Sequence, residues 1–144
     1  MKLYISFTTA LLLVVPAVAE AHELRYRMIV ADAVAPQIHV TDGETAPVTF
    51  EVTSPARLYL GPDGRHAWAV QRDAGAVQVI DTGVAEEHHG DHSAVILQAP
   101  ALLPATATGE RPVHFNMDAE RVAIFWDGTG VATLHDAAAA GDLW

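Results

Sequence analysis

The sequence predicts an all-β fold: blades of a β-propeller, each a four-stranded antiparallel sheet, forming an incomplete propeller of about three blades. Three observations lead there. Beyond the first two dozen residues, short β-branched and apolar runs recur between Gly, Pro and Asp punctuation, with little helical periodicity. Val30-Ala31-Asp32 followed by Ile38-x-Val40-x-Asp42 resembles Val70 to Asp73 followed by Val77-x-Val79-x-Asp81, an offset of 39 to 40 residues. A third copy, Asp127-Gly128-Thr129-Gly130-Val131-x-Thr133-Leu134, lies 54 residues beyond Asp73-Ala74-Gly75-Ala76-Val77-x-Val79-Ile80. Each copy is strand, tight turn, strand, and a period near ~40 residues in short strands marks propeller blades. A β-sandwich with coincidentally similar hairpins is the competing architecture.

Taken in order, Tyr26–Ala31 is the first expected strand, and Gln37–Thr41 follows with Ile38 and Val40 alternating against polar neighbours. Pro47–Thr53 and Arg57–Leu60 are separated by Ser54-Pro55-Ala56. Pro62-Asp63-Gly64 is the clearest turn, because Pro presets φ at one position and Gly accepts the φ that other residues resist. It leads into the apolar strand His66–Gln71, the common way such blades enter an inner strand, and Asp73-Ala74-Gly75 then connects to Ala76–Ile80. Ala94–Gln98, Val113–Phe115, Arg121–Trp126 and Gly130–Leu134 complete the set.

Residues 1–21 have the three parts of a secretory signal peptide: Met1-Lys2, the apolar stretch Ile5 to Val15, and small residues ending in Ala19-Glu20-Ala21. Cleavage falls after Ala19 or after Ala21, the second leaving 123 residues that begin at His22. The apolar run is shorter than the ~20 residues a spanning helix needs, so export without stable membrane association is expected. Propellers use about four to eight blades of roughly 40 residues. Residues 22–144 supply about three, and read as the N-terminal part of a longer propeller domain.

The chain of 144 residues carries 8 Lys+Arg against 18 Asp+Glu, a net charge of −10, and Lys2 is its single lysine. Such a surface cannot form the basic patch that phosphate backbones require, which excludes nucleic acid as a partner. Anionic membrane surfaces are disfavoured for the same reason. With no Cys there is no disulfide and no thiolate chemistry, so any metal site must use nitrogen and oxygen ligands.

All eight His lie beyond residue 21, and three of them crowd into Glu86-Glu87-His88-His89-Gly90-Asp91-His92. This segment is expected to be an insertion loop that explains the longer third repeat. Its imidazoles and carboxylates offer a divalent cation borderline nitrogen and hard oxygen ligands, and Gly90 lets His89 and His92 face one point. Zinc is the natural occupant, while copper or nickel suits the same ligands. Glu86 and Glu87 otherwise serve as a negative rim that concentrates cations. His114, in Arg111-Pro112-Val113-His114-Phe115, points to the face opposite Val113 and Phe115. It completes the site if that strand lines the propeller channel, and is otherwise a satisfied buried His. His39, His66 and His135 read as structural. After cleavage at Ala21, His22 would pair its α-amine with its imidazole, a copper-chelating arrangement.

Catalytic constellations are poor. Ser93 adjoins His92 without the Gly-rich elbow of a hydrolase, and Asp63, Asp73, Asp81 and Asp127 recur at turns. The protein is therefore not expected to be an enzyme. A metal-dependent enzyme, with Glu87 as base, is one rival class; an extracytoplasmic interaction propeller without a metal role is the other.

The residues resemble the AztD-type periplasmic zinc metallochaperones, β-propeller proteins that hand zinc to the solute-binding protein of an ABC importer. The resemblance runs through Tyr59-x-x-Pro62-x-Gly64-Arg65-x-Ala67-x-Ala69-Val70-Gln71-Arg72-Asp73, His89-Gly90-Asp91-His92, Gly109-Glu110-Arg111-Pro112-Val113-His114-Phe115 and Val122-Ala123-Ile124-Phe125-x-Asp127-Gly128-Thr129-Gly130. It implies Zn²⁺ binding in the periplasm and direct transfer to that partner, with His89, Asp91, His92 and His114 as carried-over metal positions beside His88. Two departures stand out: His22 is the single His of the N-terminal stretch, and Ala94 occupies a position where another His is expected. Because imidazole must be neutral to ligate, affinity should fall as pH drops through about 6.5.

Overall fold

The structure is a computed structural model that describes residues 25–104 and 107–136. The expected signal peptide and His22 lie outside the described residues. The strands, in chain order, are β1 (Met28–Ala31), β2 (Gln37–Thr41), β3 (Val48–Glu51), β4 (Arg57–Leu60), β5 (His66–Gln71), β6 (Ala76–Asp81), β7 (Val84–His89) and β8 (His92–Leu97). They continue with β9 (Ala101–Leu102), β10 (Ala107–Thr108), β11 (Pro112–Met117), β12 (Arg121–Trp126) and β13 (Val131–Asp136). No helix occurs among the described residues, and every strand pair is antiparallel.

Three sheets stack face to face in series: β1-β2-β3, then β4-β5-β6 with an outer strand, then β11-β12-β13. A sandwich would have two layers. The outer strand of the middle sheet is split, β9 pairing with Ile80 and Asp81 and β10 with Ala76 and Val77. Among the described residues, only this sheet reaches the expected four strands. The β2–β3 turn at Asp42–Glu44 lines a cavity together with Leu97, at the end of the sheets where β6 also finishes. So β2 runs like β6, the third strand of its blade, and β1–β3 are second to fourth strands. The first sheet therefore lacks an inner strand, and the third lacks an outer one, among the described residues. The repeat seen in the sequence is second strand, turn, third strand, so it is offset by one strand from the blade boundary.

Period-two alternation on β5 and β6 feeds two cores. Trp68, Val70, Val77 and Val79 face Val122, Ile124 and Trp126 of the third sheet, with Tyr59, Phe115 and Met117 packed around them. Ala69 and Ile80, on the other face, meet Ile38 and Val40 of the first sheet. Small Ala67 and Ala69 opposite large Trp68 let the middle sheet sit close to the first while filling the space toward the third. Gln71 is fully buried but satisfied: its Oε1 accepts from the N–H groups of Thr53 and Ser54 at 2.7 and 3.1 Å, and its Nε2 donates to Gln78 Oε1 at 2.7 Å. It thereby ties the β3–β4 connection to the middle sheet.

His135 is buried beside Val122, its Nε2 2.8 Å from Thr133 Oγ1, which also accepts from Trp126 Nε1 at 2.9 Å. Its Nδ1 has no hydrogen-bond partner among the described residues, and burial pushes the imidazole below its usual value. The folded state thus favours neutral His135 while the unfolded chain takes up the proton more readily. The stabilisation is complete above the unfolded value near ~6.5 and is lost as pH falls below it. The urea midpoint is expected to drop between pH 7 and pH 5.5, and His135→Gln should flatten that slope. An unchanged slope in His135→Gln would count against this account.

Candidate metal site

The segment expected to be an insertion loop is a two-stranded hairpin, β7 paired with β8. The fourteen residues from Val84 to Leu97 account for the difference between the 54-residue and 40-residue repeat spacings. Gly90 and Asp91 form its two-residue tip. Gly90 has φ of +70° and Asp91 is not among the positive-φ residues, the pattern of a type II′ turn. A Gly-Asp pair at that spacing was a hairpin signal in the sequence. It was obscured because Glu86 to His89 place polar residues on both faces.

The neck of the hairpin is built from the turn at residues 61–65. Asp63 Oδ1 accepts from the N–H groups of Arg65 and His66 at 3.0 Å each, and His66 Nδ1 approaches Asp63 Oδ2 at 2.5 Å. Arg65 then reaches Asp81, the last residue of β6, with Nε and Nη2 at 2.9 and 2.6 Å. That two-pronged contact holds the Asp81 carboxyl below its usual value. Thr82 donates through both N–H and hydroxyl to Arg65 O, Gln98 N–H donates to Gly83 O at 2.8 Å, and Arg27 Nη2 donates to Gln98 O at 3.0 Å. The hairpin therefore leaves and rejoins the middle sheet at a fixed point.

Alternation divides the candidate ligands. His89 and His92 are directly opposite in register, so they share one face, with Glu87 two residues back on the same side. Their ring centroids are 5.5 Å apart, and His89 Nε2 lies 3.7 Å from Glu87 Oε2. His88 is on the other face, with Nδ1 bonded to Ser93 Oγ and Glu86 beyond it at 4.0 Å. The three histidines therefore do not face one point. Asp91, at the tip, accepts from His92 Nδ1 at 3.0 Å. This hydrogen bond, before any other cause, lowers the Asp91 carboxyl from its usual value. An ionised carboxylate only accepts, so Nδ1 of His92 is the donor, and in the neutral imidazole Nε2 keeps its lone pair.

His114 is exposed on the face of β11 turned away from the core, opposite Phe125 and edge-on to it at 6.4 Å. The hairpin departs from the middle sheet, which packs on the other face of β11–β13, so the described structure does not bring His114 to His89 and His92. His39 bonds Thr49 at 2.9 Å on the outer face of the first sheet. Among the described residues no three His, Asp or Glu side chains gather around one point. The residues that fit a borderline cation best are His89 and His92, with Glu87 within reach and coordination positions left open.

No family profile matches the chain. It is 35% identical over 123 residues to the zinc chaperone AztD of Citrobacter koseri, covering 84% of this chain and 29% of that protein. Over most of its own length the chain is similar to that zinc chaperone. A crystal structure of Citrobacter koseri AztD superposes with a TM-score of 0.71 at 34% identity, covering 79% of this chain and 31% of that one. Apo AztD from the same organism gives 0.71 at 33% identity, covering 78% and 31%. The chain thus spans about a third of the length of the AztD proteins it matches, and its sheets follow the AztD fold. The curated relative carries the name of a chaperone rather than of an enzyme.

Proposed function

We propose that this chain forms blades of a periplasmic chaperone that carries Zn²⁺ and passes it to the solute-binding protein of a zinc ABC importer. The observation that carries this reading is its likeness to a zinc chaperone over most of its length. The hairpin supplies the chemistry. A carrier must capture its cargo and still release it, and a paired His89 and His92 offer nitrogen ligands without closing the coordination shell. Asp91 prepares His92 by fixing its tautomer, and Glu87 adds a hard oxygen on the same face. Because β7 and β8 pair only with each other among the described residues, both outer edges and the tip are accessible to an acceptor, whose ligands can replace these one at a time. Export by the residues 1–21 segment is part of the same proposal, as periplasmic transfer requires it.

Zinc titration against a competing chelator, on the full-length protein and on His89→Ala with His92→Ala, tests the reading. The double variant is expected to bind at least about tenfold more weakly, a loss of ~1.4 kcal/mol or more. Equal affinities would remove the hairpin as the cargo site. Transfer to the apo acceptor should outrun spontaneous zinc dissociation; a rate no faster than dissociation argues for storage instead of delivery. An interaction propeller without a metal role predicts partner binding that survives the double substitution and needs no zinc.

A further inference from the structure

Beyond Lys2, all the positive charge of the chain rests on seven arginines. Arg65 and Arg111 are committed to Asp81 and Asp127, and Arg27 donates to the Gln98 carbonyl. Arg57 and Arg72 differ. Arg57 forms no side-chain hydrogen bond or ion pair among the described residues. Arg72 has only its exposed neighbour Asp73, at 3.9 Å.

These two arginines line one cavity of about 380 Å³ at the start of β4, at the end of the blades opposite the hairpin. Register explains the convergence. Arg57 is directly opposite Val70, so it shares a face with Tyr59 two residues along β4 and with Arg72 two residues beyond Val70. That face looks toward Pro112 and Val113 at the start of β11, which close the other side. The Tyr59 ring is held in place by stacking on Phe115 at 4.7 Å. No Asp or Glu lines the cavity, although the chain is strongly acidic.

We propose that this cavity binds a small carboxylate with an apolar body. The guanidinium forks of Arg57 and Arg72 match a carboxylate, and Ala56, Val70, Pro112 and Val113 cover the apolar part. The volume is in the range of small-molecule sites, roughly 300–1,000 Å³. This site is separate from the zinc-carrying hairpin and does not depend on it.

Calorimetric titration of the zinc-free full-length protein with benzoate, and with uncharged benzamide of the same shape, tests the assignment. Benzoate should bind at least about tenfold more tightly than benzamide, and Arg57→Gln and Arg72→Gln should each weaken benzoate by about tenfold, the worth of one charged hydrogen bond. Arg→Lys at either position should recover part of the loss. Neither arginine supports the core, so the urea midpoint and the zinc affinity of these variants should match the parent. A Glu-rich peptide that displaces benzoate identifies acidic side chains of a partner as the source of the carboxylate; one that does not identifies a free small molecule. No benzoate binding, equal binding of benzamide, or indifference to both Arg→Gln changes overturns the proposal.

Discussion

Trp68→Ala is expected to destabilise the protein by about 3–5 kcal/mol, read as a lower urea midpoint at unchanged slope. Trp68 is fully buried at the centre of the core between the second and third sheets, with Phe115 5.5 Å from its ring and Val122, Ile124 and Trp126 packed in the same cluster. Its removal leaves a cavity between two rigid sheets, whose backbone ladders prevent collapse into the space. Set against a typical stability of ~5–15 kcal/mol, that loss is a large fraction of what holds the fold together. Trp68→Phe should cost much less. The Trp68 Nε1 is buried with no hydrogen-bond partner among the described residues, so the phenyl ring keeps most of the contact and deletes a polar group that gains nothing from burial. If Trp68→Ala lowered stability by less than about 1 kcal/mol, the two sheets would not be held by this core.

Where a strand packs against a core, the sequence announced it. Gln37–Thr41, Arg57–Leu60, His66–Gln71 and Arg121–Trp126 form as expected, residue for residue, because burial on one or both faces imposes a periodic apolar pattern. The elements that escaped carry no periodic apolar pattern of their own, although Leu102 of β9 and Ala107 of β10 pack against the two cores. β7 carries Glu86, Glu87, His88 and His89 into solvent on both faces, and β9 and β10 are two-residue pieces whose pairing is set by β6 rather than by their own composition. The same contrast governs the candidate site. Composition located the His-Gly-Asp-His segment, but only register shows that His88 is turned away from His89 and His92. For His114 the alternation with Val113 and Phe115 was legible. Which sheet face it would occupy was not, since that depends on how blades stack. Arg57 and Arg72 carried no signal, being far apart in sequence and joined only by the β4–β5 register.

Gly83→Ala should rank next in effect, and it separates what fixes the hairpin from what fixes its histidines. Gly83 has φ of +77°, and a Cβ there would lie 2.2 Å from Gln98 O and 2.9 Å from Gln98 C. The left-handed backbone costs an Ala roughly 1–2 kcal/mol. Moving Gln98 also breaks its N–H bond to Gly83 O, worth about 0.5–1.5 kcal/mol, so a total of about 1.5–3.5 kcal/mol is expected. Gly90→Ala, with φ of +70° but nothing within 4 Å, should cost only the backbone part. The pairing of His89 with His92 is set by the six-residue ladder of β7 on β8, which does not pass through Gly83. In Gly83→Ala, zinc affinity should therefore stay within about threefold of the parent, a free-energy change below ~0.7 kcal/mol, while the urea midpoint falls. A large loss of affinity in this variant would mean that a ligand outside the hairpin, aligned through its neck, completes the site.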